Sequence, residues 1–196
     1  MSFFSWTNSQ PHRGDEDNAL KSFGYTLLET VKVVLVSLLI ILPIRYFVIQ
    51  PFNVEGASMQ PTFLSGEYLI VDEISYRLQE PQRGEVVVFR YPKDPSEFYI
   101  KRIIALPGET VAMKQGIVYV NGDKLEELYI PNGSFGEWTS DPLTLKDKEY
   151  YLLGDNRTNS LDSRYFGPVD RKFIVGRVWL RGWPADRFSF FPTPQY

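Results

Sequence analysis

The sequence predicts an all-β domain, antiparallel and partly closed, behind one N-terminal transmembrane helix. Three observations carry that prediction. Six short aliphatic or aromatic runs follow one another from residue 51 onward, separated by Gly, Pro, Asn and Asp. No βα alternation and no long amphipathic helix interrupts them. One long apolar stretch precedes them all.

Taken in order, residues 1–24 are polar and include the run Arg13-Gly14-Asp15-Glu16-Asp17-Asn18, which reads as a short mobile tail. Residues 25–49 read as a membrane anchor. The charge-free centre, residues 33–44, is only twelve residues long and would also fit the apolar region of a cleaved signal peptide. Two features favour an uncleaved anchor. Apolar character continues through Tyr46, Phe47, Val48 and Ile49, and no small-x-small site follows at once. Lys32 and Arg45 can snorkel to opposite interfaces. A helix over 27–49 would be about 34 Å long, enough for one crossing; a buried helix of a soluble protein is the alternative. Arg13, Lys21 and Lys32 ahead of the core favour the tail inside and the large domain outside.

Residues 50–196 then form the β domain. Its strand signals are EYLIVDEI, GEVVVF, EFYIKRIIAL, GIVYV, EYYLLG and IVGRVWL. Asn121-Gly122, directly after GIVYV, is a hairpin turn signal.

Composition removes several function classes. Net charge is −3, so no basic surface marks nucleic acid as a partner. The chain has no cysteine, which excludes disulfides, thiolate metal sites and cysteine nucleophiles. Its one histidine, His12, precedes the apolar segment. The domain beyond it therefore lacks the histidine of a Ser-His-Asp triad and of zinc hydrolase motifs. Neither metal nor cofactor is implied. A hydrolase here would need Lys, Asp, Glu or Tyr as its base.

Three stretches could carry chemistry. In Glu97-Phe98-Tyr99-Ile100-Lys101-Arg102-Ile103-Ile104-Ala105, strand alternation puts Tyr99, Lys101, Ile103 and Ala105 on one face. Burial there would lower the lysine pKa and make it a usable base, with Arg102 on the opposite face. By itself the stretch is better described as a strand lysine whose head reaches water. In VEGASMQPT, Ser58 sits among small residues before a Pro-Thr turn, which suits close substrate approach and converging amide N–H groups. A linker leaving a membrane helix would look similar, although the flanking runs are apolar. The loop GDNRTNSLDSR follows EYYLLG and alternates Asp155, Arg157, Asp162 and Arg164 in sign. It is either solvated or held rigid by local hydrogen bonds that present hydroxyls to a neighbour.

These blocks, VEGASMQPTF, GEYLIV, RGEVVVF, YIKRIIALPGE and GDNRTNSLDSRYFGPV, occur in the order seen in the type I signal peptidases of bacteria, which the chain resembles from its anchor to about Arg181. The resemblance implies that Ser58 is the nucleophile and Lys101 the general base. Ser160 would orient the lysine amine. Asp155 with Arg102, and Asp162 with Arg164, would be supporting ion pairs. The Ser58 backbone N–H would be one oxyanion donor. Two positions depart from the pattern. Gly56 stands where some members place a serine hydroxyl as second oxyanion donor, so the backbone or a water would substitute. Thr158 stands where aspartate is common, with little effect expected.

The resemblance also implies a preprotein substrate cut after small-x-small sequences. Phe52, Val54, Met59, Phe63, Tyr99 and Ile100 match pocket-lining positions, and several could equally be core. An extended peptide would add as a strand between residues 52–58 and 97–102. The implied setting is a monomer in the bilayer of the bacterial cell membrane, with a thylakoid-type membrane as the alternative. The aromatic stretch Phe188-Ser189-Phe190-Phe191 would either dip into the interface or pack in the core. Two rival readings remain: a Ser-Lys protease that cleaves itself or one dedicated partner, and an inactive relative that binds signal peptides.

Overall fold

The computed structural model describes residues 13–47, 49–131 and 135–192. His12 lies outside the described residues. The chain divides into two compact units, residues 1–45 and 46–196.

The first unit is built on helix α1, Arg13–Phe47. Phe23–Ile41 within it is apolar enough and long enough to cross a bilayer, with a mean hydropathy of 1.9. Its side chains are exposed all along that stretch; Leu39 is 75% accessible. The helix departs from expectation at both ends. Residues 13–24, expected to be a mobile tail, belong to it. Once the apolar segment has nucleated a helix, each adjoining residue joins at the low cost of propagation. At the other end Ile49, expected in the anchor, already pairs with Asp72. Pro51 biases the residue before it toward extended backbone, which favours a strand there.

The second unit is antiparallel β throughout, as expected. Its strands are β1 (Ile49–Asn53), β2 (Tyr68–Asp72), β3 (Val86–Tyr91), β4 (Asp94–Ala105), β5 (Thr110–Lys114), β6 (Ile117–Val120), β7 (Asp123–Lys124), β8 (Ser140–Thr144), β9 (Glu149–Leu153), β10 (Val169–Asp170), β11 (Ile174–Trp183) and β12 (Ser189–Phe190). Two single-turn helices join them, α2 (Ser75–Leu78) and α3 (Ser163–Phe166). The large sheet runs β1-β2-β11-β3-β4-β9-β10, with β12 on β11, and the small one β7-β6-β5-β8. Each is an open path; neither returns on itself.

All six strand runs read from the sequence form strands. The Asn121-Gly122 hairpin is present, both residues having positive φ, 54° and 93°. That conformation matches strand twist, and the Asn-Gly pair tolerates it. The sequence reading passes over β1, β5, β7, β8, β10 and β12. β8 contains Pro142, which an edge strand of the small sheet accommodates.

Burial positions the site. Val86, Val88, Leu69 and Val71 form one apolar layer under the segment that carries Ser58. Ile104, Val111, Met113 and Leu153 form a second one, which joins the small sheet to the large. Strand β4 lies inside the large sheet: it pairs with β3 along Val87↔Lys101 and Val86↔Arg102, and with β9 along Arg102↔Leu153.

Candidate active site

Ser58 lies on a turn between β1 and β2. Gly56, with φ 85°, opens that turn in a conformation that other residues adopt only with strain, and open space lies where its Cβ would be. Lys101 sits mid-strand in β4. The two meet: the Lys101 Nζ donates to Ser58 Oγ at 2.7 Å and to the Ile100 carbonyl at 2.8 Å. Lys101 is only 4% exposed and has no carboxylate partner among the described residues. Burial therefore dominates its titration and pulls its pKa from 10.5 down to about 8. The Asp162 and Asp155 carboxylates pull it back up, and Arg164 adds a small push downward.

Both expected ion pairs are present and buried. Arg102 grips Asp155 with two hydrogen bonds, Nε to Oδ1 at 2.8 Å and Nη2 to Oδ2 at 2.6 Å. Asp155 also accepts from Thr62 Oγ1 at 2.6 Å, so the pair ties β4 to the turn that carries Ser58. Arg164 holds Asp162 in the same bidentate way, both contacts at 2.8 Å. Asp162 in turn accepts from the Gly154 N–H and caps α3.

Ser160, expected to orient the lysine amine, makes no hydrogen bond to it here: the Nζ bonds go to Ser58 and Ile100, and Ser160 Oγ is buried without a hydrogen-bond partner among the described residues. It packs beside Gly154. A Cβ at Gly154 would collide with Ser160 Oγ and fall 2.5 Å from the Ser58 carbonyl oxygen. Glycine is required there because three pieces of chain converge.

A cleft of about 390 Å³ opens over the Ser58–Lys101 pair. Four of the six expected lining residues, Phe52, Val54, Tyr99 and Ile100, do line it. Met59 and Phe63 do not. They are 1% and 0% exposed and pack in the core under the turn. The turn rolls them inward, since Phe63 N–H bonds back to the Met59 carbonyl. The remaining wall includes Phe98, Asn159 and Leu161.

Four further residues brace the site, and the sequence reading gave none of them a role there. Glu127 and Arg157 form a fully buried ion pair, and Tyr129 donates to Glu127 at 2.6 Å. The Arg102 guanidinium stacks over the Tyr129 ring at 3.9 Å, linking this pair to Asp155. Asn156 reaches two consecutive carbonyls of the serine turn. Its backbone N–H donates to Ser58 O at 3.0 Å and its Nδ2 to Ala57 O at 3.1 Å. Local pattern gives no signal for a pair 30 residues apart. Asn156 stands in the loop GDNRTNSLDSR, which the sequence marks only as polar and able to bond locally.

A serine hydroxyl held by a buried, carboxylate-free lysine at the floor of a cleft is the class of arrangement from which histidine-free serine hydrolases are built. Comparison with known proteins gives the class a family. Residues 27–183 match the family described as signal peptidase, peptidase S26. The chain is 42% identical over 167 residues to a probable signal peptidase I-2 of Synechocystis sp., covering 83% of this chain and 76% of that one. It is 39% identical over 178 residues to a signal peptidase I of Leptolyngbya laminosa, covering 87% of each. It is also 40% identical over 167 residues to a signal peptidase I of Bacillus caldolyticus, covering 79% of this chain and 91% of that one. The chain belongs to this family, the type I signal peptidases, which are serine endopeptidases.

Proposed function

We propose that the chain is a membrane-anchored endopeptidase that removes signal peptides from exported preproteins, with Ser58 as nucleophile and Lys101 as general base. The observation that carries this is the 2.7 Å contact between Ser58 Oγ and a lysine amine shifted by burial to about 8. Near neutral pH such an amine is deprotonated in a useful fraction of molecules.

The chemistry follows from that pair. Ser58 Oγ attacks the scissile carbonyl carbon while neutral Lys101 takes its proton. The tetrahedral oxyanion is held by the Ser58 N–H, which donates to no acceptor among the described residues. Gly56 brings no hydroxyl, so backbone or water completes the hole. Its open, left-handed position leaves the substrate room to approach. Collapse breaks the C–N bond, and Lys101 returns the proton to the leaving amine. Water, deprotonated by Lys101, then releases the acyl group from Ser58.

The cleft supports a substrate with small side chains beside the scissile bond. Val54, Tyr99 and Ile100 leave a shallow apolar floor, and an extended peptide can lie against residues 97–101. The exposed apolar face of α1 supports the anchor in the bacterial cell membrane or a thylakoid-type membrane, with the β domain outside. Trp179, Trp183, Phe188 and Phe190 are exposed together at β11 and β12, a surface suited to the bilayer interface.

The test is cleavage of several unrelated preproteins by the wild type and by Ser58→Ala in detergent, with the new N-termini sequenced. The reading expects cuts after small-x-small sites and none by Ser58→Ala. Cleavage of a single partner or of the enzyme itself alone would replace it with the dedicated-protease reading.

A further inference from the structure

We infer that Asn156 is a positioning residue for the oxyanion donor, and that Thr158 sets the orientation of its carboxamide. The inference rests on Ser58 being the nucleophile, as proposed above.

In a trans peptide the carbonyl and the following N–H leave one rigid plane in opposite directions. The plane that ends in the Ser58 N–H begins at the Ala57 carbonyl. Whatever fixes Ala57 O therefore aims the Ser58 N–H. Asn156 Nδ2 donates to Ala57 O at 3.1 Å. The next plane is fixed by the same residue, through its backbone N–H to Ser58 O at 3.0 Å. Asn156 thus grips both peptide groups that flank the nucleophile.

Gln60 N–H also donates to Ala57 O, at 3.2 Å, but it belongs to the turn and moves with it. Asn156 comes from the loop after β9, next to Asp155, which is locked to Arg102 and Thr62. It references the turn to the strand that carries Lys101. A hydrogen bond at an amide oxygen also polarises the amide and strengthens its N–H as a donor.

Thr158 Oγ1 donates to Asn156 Oδ1 at 3.1 Å. With its oxygen occupied, the carboxamide presents Nδ2 to Ala57. An aspartate at 158 would offer that carboxamide only acceptors and draw Nδ2 away. The threonine at this position therefore acts on the oxyanion donor through Asn156.

The experiment uses the full chain in detergent and a peptide spanning a small-x-small site. A peptide aldehyde with the same residues serves as probe, since its adduct with Ser58 places an oxygen in the oxyanion hole. For Asn156→Ala and Asn156→Leu, kcat falls about tenfold or more, KM stays within about twofold, and aldehyde affinity weakens in parallel with kcat. Thr158→Val and Thr158→Asp give the same signature with a smaller loss, about threefold. The pH midpoint of kcat/KM is unmoved, because the surroundings of Lys101 are intact. The inference is overturned if kcat of both Asn156 variants stays within twofold of wild type. It is equally overturned if the loss lies in KM or in a shifted midpoint while aldehyde affinity is kept. Ser58→Ala is run alongside: activity in that variant removes the nucleophile assignment itself, whatever Asn156 does.

Discussion

Lys101 and Arg102 are neighbours on β4, both cationic and both more than nine-tenths buried, yet their surroundings are opposite. Strand alternation sends them to different faces. Arg102 meets a carboxylate in bidentate contact, an aromatic face and the Gly84 carbonyl at 2.7 Å. Lys101 meets a hydroxyl, one carbonyl and, at 5.6 Å, the Tyr99 ring, and no carboxylate among the described residues. A guanidinium keeps its charge under burial and must be paired. An ammonium without a counter-ion instead gives up its proton more readily. One face of the strand is thereby a brace, the other a titratable site.

Breaking each side of that comparison has a different signature. Lys101→Met removes the proposed base and is expected to lower preprotein cleavage by about 10⁴-fold, as measured by single-turnover assay, with circular dichroism unchanged. Full activity in this variant would remove the lysine from the reaction. On the other face, Asp155→Ala removes the bidentate carboxylate from the buried Arg102 guanidinium and frees Thr62. Unfolding should become easier by about 3–5 kcal/mol, read by denaturant titration, with activity falling as a consequence. A loss under 1 kcal/mol would mean that the pair contributes little to the fold.

Gly154→Ala sharpens the comparison at the seam between the faces. Its Cβ would meet Ser160 Oγ and the Ser58 carbonyl at contact distances that nothing can absorb without a shift. We expect about 1–3 kcal/mol of destabilisation and a larger proportional loss of kcat, because the shift falls on the nucleophile turn.

The last effect is on stability against pH. Lys101 titrates at about 8 folded against 10.5 ordinarily. Between those values the unfolded chain holds a proton that the folded chain has lost, so stability rises with pH across that window. Below about 8 both states are charged, and the cost of burying the ammonium, about 3 kcal/mol at most, is fully present. The wild type should therefore gain on Lys101→Met as pH rises from 8 to 10.5. Parallel curves for the two proteins would contradict a depressed lysine.

Much of this was legible in the sequence because the relevant signals are periodic or excluded by composition. Alternation in YIKRIIA separates Lys101 from Arg102, and the lack of histidine after residue 12 narrows the base of a hydrolase to Lys, Asp, Glu or Tyr, from which the resemblance picks Lys101. Alternation says nothing on a turn, however. Met59 and Phe63 follow Ser58 on one, and only the three-dimensional roll of that turn shows them to be core. Pairs such as Glu127 and Arg157 depend on how two loops converge, which no local pattern encodes. Ser160 was assigned to Lys101 by resemblance, whereas the amine found its acceptors at Ile100 and Ser58.

The central claim is that Lys101 works as a neutral base. The most direct test is the pH dependence of kcat/KM for the wild type on a small-x-small peptide, from pH 5 to 9. The account predicts a limb rising about tenfold per unit toward an apparent pKa of about 8. A flat profile across that range would contradict it.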